Sequence, residues 1–480
     1  MPQEDNVGRT SVRYDQMSVK WEMLHDLLGG TFAMRTAGTK WLPQEPKELD
    51  PVYNLRLERS FLYEAFANTV DRLVSKPFSR PVTWEGIPDS LENLTTDIDA
   101  NGSTLTQFVK DLFEKGLIYG MTHVLVDFSK SIPDATIADE KSLGTRPVLV
   151  HVTPPNLLGW RTETDLSGQT VLTDVRIREI RTEPEGNFGD KEVEYIRHLT
   201  RTDYTLYRKN EQGEYVIVEQ GSHTFGRVPL LTYYVERTGF LQADPPLEAL
   251  CHLNIAHWQS MSDQRNILRF ARAGILFASG FQEDELDDIV IGPNSFVETQ
   301  ASEANLRYVE HSGKAIGAGA ADIASLEERM EVLGLQPLIE RTAKSTATGK
   351  VLDEEKTMSS IQAWIRSLED LIESAITLAA EYMKATLTDL SIDIFNDFGV
   401  GSKGVDEIGQ LTKMRELTPP QISHETFLNE MRRRNVLLDT LDIEEEIQRV
   451  NEEDQQRLDA LIGQPEDDED EDDEVDEVDE

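Results

Sequence analysis

Gly399, Gly401 and Gly404 stand in the GxGxxG spacing that lets a backbone approach a pyrophosphate at the start of a helix. A strand is expected before them and a helix after them, the placement a dinucleotide loop needs. A βαβ unit also requires a second strand, and here Pro419 and Pro420 lead into more helix. Glu425 has roughly the offset of a ribose-binding acid but falls where a helix begins. The residue pattern therefore favours a flexible strand-to-helix loop, with a nucleotide-dependent enzyme built on 399–404 as the alternative. Asp397, Phe398 and Gly399 spell a kinase-like triplet without the HRD loop that would accompany it. Gly349-Lys350 is followed by Val351, where a Walker loop needs a hydroxyl for Mg²⁺. Cys251, His252 and His257 have metal-ligand chemistry, but five residues along a helix turn the chain by about 140°, against about 40° for the usual four-residue pair. Histidines at helix or subunit contacts are the expectation. No nucleophile elbow or HExxH is present, and carboxylates are too numerous for one pair to stand out as acid and base.

Charge carries more information than these motifs. The 480 residues hold 47 Lys and Arg against 89 Asp and Glu, a formal net charge of −42. Thirteen of the last 15 residues, Glu466 to Glu480, are acidic, so −29 remains on the other 465. Such a surface cannot grip nucleic acid all over through phosphate neutralisation, though it can let a polyanion pass. The tail reads as a solvated, self-repelling disordered segment; an acidic DNA-mimic or chaperone-like binding protein is a further alternative. Two local contrasts stand out. Glu283, Asp284, Glu285, Asp287 and Asp288 form an acidic cluster that suits docking of a basic partner. Arg341, Lys344 and Lys350 lie in a stretch, Arg341 to Leu352, with no acid, a candidate phosphate contact. Arg432 to Arg434, and Arg72, Lys76 and Arg80, are rival cationic groups that fit helix ends better. With Cys251 the only cysteine, no intramolecular disulfide forms. No apolar run approaches membrane-spanning length, and Met1 to Val12 lacks a signal peptide's apolar stretch. A soluble chain made in a reducing compartment is expected.

The elements that must position these groups follow from periodicity. Asn54 to Lys76 carries a broad apolar face that Pro77 ends, and Thr104 is placed to cap a helix burying Leu105, Phe108, Val109, Leu112 and Phe113. His123 to Phe128 reads as a buried strand. From Arg146 to about Gly239 the period is two, an antiparallel meander with a turn at Asn210 to Gly213. Helices and sheet are segregated, which gives an α+β fold. Leu247 to Arg272 is a long helix whose middle, Gln259 to Asn266, has Met261 as its one apolar residue. Such a helix bridges parts or packs in an assembly, so neighbouring subunits are expected to satisfy it. Short strands at Ile275 to Phe277, Ile289 to Ile291, Ser295 to Val297 and Leu306 to Val309 form a small β excursion. Ile323, Leu326, Met330 and Leu333 then mark a returning helix with a narrow seam. A Ser/Thr/Ala/Gly loop spans Pro337 to Thr357, and Ser359 to about Ala385 is the strongest helix. A short strand, Ser391 to Phe395, precedes a helical end.

This order resembles the portal proteins of tailed bacteriophages, the head–tail connectors. Local sequences carry the likeness too: Tyr53-Asn54-Leu55-Arg56 running to Pro77-Phe78, and the run Leu253 to Asn266. Tyr308 to Gly313, Thr346-Ala347-Thr348 and Ile422-Ser423 also match. The likeness covers the chain to about Asp454; the pure Asp/Glu tail is outside the family pattern. It implies an elongated subunit with an α+β wing over 1–246, stem helices over 247–272 and 315–338, and a β-rich clip over 273–314. A tunnel loop over 339–358, a long wing helix over 359–386, a strand and C-terminal wing and crown helices over 387–462, and the tail over 463–480 complete it. It further implies a homododecameric ring at one capsid vertex of a virion made in the host cytoplasm. Double-stranded DNA passes through the ring during packaging and ejection. The implied partners are the terminase large subunit, the major capsid and scaffold proteins, and a neck or tail adaptor, with no membrane. It implies no enzyme activity, catalytic residue, metal or cofactor. Arg341, Lys344 and Lys350 become the DNA contact of the tunnel loop. Glu283, Asp284, Glu285, Asp287 and Asp288 become the terminase and neck docking surface of the clip.

Overall fold

Ser11 accepts a hydrogen bond from the Tyr14 amide and so caps Val12–Leu28 (α1), which buries Trp21, Leu24 and Leu27. The computed structural model describes residues 6–128, 146–273, 275–280, 303, 305–309, 314–338, 359–396, 403–417, 421–433, 437 and 442–462. Gly30–Ala37 (α2) follows α1. The single helix expected over 54–76 is two, Asp50–Arg59 (α3) and Ala65–Ser75 (α4). Apolar spacing runs on across the break, so periodicity does not reveal it. Distant side chains take the backbone groups that the break frees: Arg35 donates twice to the Ser60 carbonyl, and Thr31 accepts the Leu62 amide at 2.9 Å.

Thr83–Glu85 (β1) and the four-residue Asn93–Thr96 (α5) lead to Leu105–Tyr119 (α6). Thr104 caps α6 as expected, and Phe108, Val109, Leu112 and Phe113 are buried. Gly120 ends it at φ +83°, where an added Cβ would lie 2.0 Å from the Asp244 carbonyl oxygen. Both the backbone conformation and the close approach require glycine there.

The strands are Met121–Phe128 (β2), Pro147–Val152 (β3), Leu157–Thr164 (β4), Thr170–Glu185 (β5), Gly189–Thr200 (β6), Asp203–Lys209 (β7), Tyr215–Ser222 (β8) and Leu230–Tyr234 (β9). They form two antiparallel sheets, not one meander: β3-β2-β9, and β4-β5-β6-β7-β8. Leu125 and Val152 from the first meet Leu157, Val175, Ile177 and Leu199 from the second in one buried cluster. Arg237–Gly239 (β10) and Gln242–Ala243 (β11) then lead into Glu248–Ala273 (α7). Ile275–Ser279 (β12), Asn305–Val309 (β13), Lys314–Leu335 (α8), Ser360–Met383 (α9) and Ser391–Asp393 (β14) complete the unit Met1–Asn396.

Ser359 starts α9 with a full capping box to Gln362. This helix packs against the three-stranded sheet, where the Tyr233 hydroxyl donates to the Trp364 carbonyl at 3.1 Å. The fold is α+β. The unit Asp397–Glu480 contains Lys403–Glu416 (α10), His424–Arg433 (α11) and Ile443–Ile462 (α12) among its described residues.

Two carboxylates of α9 hold β14 against it. Glu373 accepts the Ile392 amide at 3.0 Å and Glu369 the Ile394 amide at 2.9 Å. Burial pushes the Glu369 carboxyl up to about 7, Asp393 and Glu373 add to the rise, and the Ile394 amide opposes it. Between its ordinary value near ~4.3 and 7 the folded chain holds a proton that the unfolded chain has lost, so stability falls as pH rises across that window. Glu369→Gln keeps the amide contact and removes the titration. Its stability is expected to exceed that of the unmodified chain at pH 8, by roughly 1 kcal/mol after solvent screening, with the advantage shrinking toward pH 5. Scanning calorimetry at the two pH values checks it.

Candidate functional site: a helix–strand–strand–helix arm

The chain runs out along α7, pairs β12 with β13 from Ile275↔Val309 to Ser279↔Asn305, and returns along α8. Contacts between the helices fix their antiparallel order. His257 faces Glu327 at 3.1 Å, Ser260 donates to Asp322 at 3.2 Å, and Gln264 donates to the Ile316 carbonyl at 2.8 Å. Ile323, Leu326 and Met330 bury the apolar seam of α8 as its spacing predicts. Gly319 leaves the space that Gln264 fills, since a Cβ there would fall 2.1 Å from the Gln264 side-chain oxygen.

The other side of α7 meets the N-terminal helices. Asn254 has no solvent exposure; its side-chain oxygen accepts the Phe66 amide at 3.0 Å and its amide donates to the Tyr63 carbonyl at 2.7 Å. It thereby caps α4 and closes the break after α3. The Ser262 and Ser60 hydroxyls lie 2.8 Å apart, and Gln259 donates to the Trp41 carbonyl at 2.9 Å. Arg56 pairs with Glu48 at 2.7 Å, both side chains almost wholly buried, and reaches Asp263 at 3.5 Å. The Arg56 hydrogen bond holds the Glu48 carboxyl below its usual range, while burial raises that of Asp263.

This corrects the expectation for Gln259 to Asn266. Gln259, Ser260, Ser262, Asp263 and Gln264 all find partners within their own chain. The helix is polar on several sides because it is sandwiched between α8 and the N-terminal helices, each offering hydrogen-bonding groups.

Two motifs that carry the family likeness, Tyr53 to Arg56 and Leu253 to Asn266, therefore meet in space through Arg56 and Asp263. The histidines separate as helix geometry predicts. His257 is buried between the arm helices, whereas His252 is exposed beside Glu248. Burial pushes the Cys251 thiol up and keeps it protonated. Glu283, Asp284, Glu285, Asp287 and Asp288 lie outside the described residues, as do Arg341, Lys344, Lys350, the strands expected at 289–291 and 295–297, and the acidic tail. Gly399 and Gly401 do too; Gly404 lies in α10, and β14 ahead of it pairs antiparallel with β1. No described helix is long and apolar enough to cross a membrane. The contacts of Arg56, Asn254 and Ser262 could not be read from residue types, because their partners lie far away in the sequence.

Residues 246–383, which contain the arm and α9, match a family model described as a domain of unknown function, DUF4055. No curated protein matches the chain. Among solved structures, the chain is similar to one in the virion of the native gene transfer agent particle, at 10% identity and TM-score 0.40, over 76% of this chain and 87% of that one. It is similar to a chain in the neck of the empty particle, computed with C6 symmetry, at 10% identity and TM-score 0.41, covering 76% and 88%. A chain in the neck of the native particle, computed with C12 symmetry, gives 10% identity and TM-score 0.39, again covering 76% and 88%.

Arg56→Leu leaves Glu48 buried without its partner and is expected to cost about 3–5 kcal/mol. Glu48→Leu made with it is expected to recover much of the loss. Urea unfolding of the two variants measures both. The stabilisation from the pair is fully present above the ordinary carboxylate value of ~4.3 and is lost as pH falls through the depressed value of folded Glu48.

Proposed function

We propose that the chain is a structural subunit of a phage-like head–neck vertex, and specifically the portal subunit, twelve copies of which ring a channel for double-stranded DNA. The arm is the observation that carries this reading: two antiparallel helices leading to and from a small β pair, with a long capped helix following. The same order underlies the stem, clip and wing helix of the portal likeness. In this reading α7 and α8 line up around the channel, and the excursion between them docks the terminase and later the neck or tail adaptor. The capsid holds the ring at one vertex. ATP chemistry belongs to the terminase, so the chain itself performs none.

Charge supports the same reading. A conduit must let phosphate slide, and the −29 carried outside the tail repels a duplex along most of its wall. Arg341, Lys344 and Lys350, repeated around the ring, give a weak cationic girdle that touches DNA without stalling it. Glu283, Asp284, Glu285, Asp287 and Asp288 present the terminase with a rim of opposite charge, which chiefly speeds encounter.

Packaging extracts that lack this chain are expected to yield heads without DNA, and adding the purified chain is expected to restore filling. Heads that fill normally without it contradict the proposal. Changing Arg341, Lys344 and Lys350 to Gln should spare assembly and shorten the genome retained per particle once packaging stops. Changing the five clip acids to amides should slow terminase docking, most at low ionic strength, where charge is least screened.

A further inference from the structure

A cleft of about 470 Å³ opens between α3 and α7, lined by Leu55, Arg56, Arg59, Arg265, Leu268 and Arg269 together with the Ser60–Ser262 contact. In a chain of net charge −42, this cleft gathers four arginines. Arg56 is committed to Glu48, but Arg59 and Arg265 are exposed at the rim, and Arg265 lies over the Phe61 ring at 4.7 Å. The leucines, Phe61 and the aliphatic stems of the arginines make the surface between the charges apolar. That mixture suits carboxylates spaced among apolar side chains on a helix.

The complementary surface is on α8. Ile323, Leu326 and Met330 face inward, and the opposite side exposes Glu328, Glu331, Val332 and Leu335. These four recur at three- and four-residue spacing, so they form one ridge of two carboxylates and two apolar side chains. Val332 is 60% exposed and Leu335 41%, and Arg329 stands on the flank of the ridge. The cleft lies on the side of α7 that meets α3, while His257, Ser260 and Gln264 of α7 meet α8. Cleft and ridge thus belong to different sides of the arm, and neither satisfies the other within one chain.

We propose that the α3–α7 cleft receives the Glu328–Leu335 ridge of a second copy, making a head-to-tail contact that each added copy repeats. A heterologous contact of this kind closes into a ring when its rotation allows and otherwise runs into a filament. The proposal rests on the ring-forming reading above and assigns the surfaces that join neighbouring subunits.

Reversing the charges tests it. R59E/R265E gives an acidic cleft facing an acidic ridge, and E328R/E331R gives a cationic ridge facing a cationic cleft. Each variant alone is expected to need about 100-fold higher concentration for half-assembly by sedimentation velocity. An equimolar mixture pairs opposite charges at every contact, and its half-assembly concentration is expected to return to within about threefold of the unmodified value. Thermal midpoints of both variants report that the fold is kept. Should a reversal variant melt early, R59Q/R265Q takes its place, with about tenfold weakening expected and no change overturning the assignment. If the unmodified chain assembles and the folded variants assemble equally well, or the mixture fails to recover, this surface is wrong while the ring reading survives. An unmodified chain that stays monomeric at every concentration overturns both.

Discussion

Asn254 lies in α7 with no solvent exposure, and its side chain holds two backbone groups, the Phe66 amide and the Tyr63 carbonyl. Without it the Phe66 amide would be buried unpaired, at a cost of about 1–3 kcal/mol, and the Tyr63 carbonyl would keep only the Ala65 amide. Much of the N-terminal half's relation to the arm follows from this contact. The break lets α3 and α4 approach α7 separately, bringing Ser60 to Ser262 and Arg56 to Asp263. On its other side α7 bonds α8 through His257, Ser260 and Gln264, so the polar middle of the helix is held from two directions. Specific polar contacts fix the register of the arm more sharply than a greasy seam would.

Locally coded features were legible in the sequence. Thr104 and Ser359 announce their helices through capping chemistry, and Ile323, Leu326 and Met330 announce the inner face of α8 through spacing. The strands β12 and β13 were legible as short apolar runs at Ile275 to Phe277 and Leu306 to Val309, but their pairing with each other was not. What could not be read depends on distant residues. The break at 60–64 rests on Arg35, Thr31 and Asn254, and apolar spacing passes over it unmarked. The division of the strands into two sheets rests on β9 pairing with β2 across more than a hundred residues, which alternation along each strand does not encode. The polar middle of α7 was visible, but its partners were not, and the choice between a neighbouring subunit and the same chain is made only by tertiary packing.

Electrostatics give the proposed role its physical sense. A passage for DNA must combine a repulsive wall with a few weak points of contact, and a strongly acidic chain with sparse cationic segments meets both demands. The same excess of acid makes association between copies costly unless local charge reverses at the contact. At the cleft beside α7, the exposed Arg59 and Arg265 offer positive charge for such a contact.

In the proposed role, copies of this chain assemble around an open channel. Electron microscopy of the purified chain across a range of concentration and salt tests it most directly. Rings with a central hole are expected, twelvefold or in a mixture of nearby sizes where no capsid imposes closure. Single compact particles at every concentration and salt condition would contradict it.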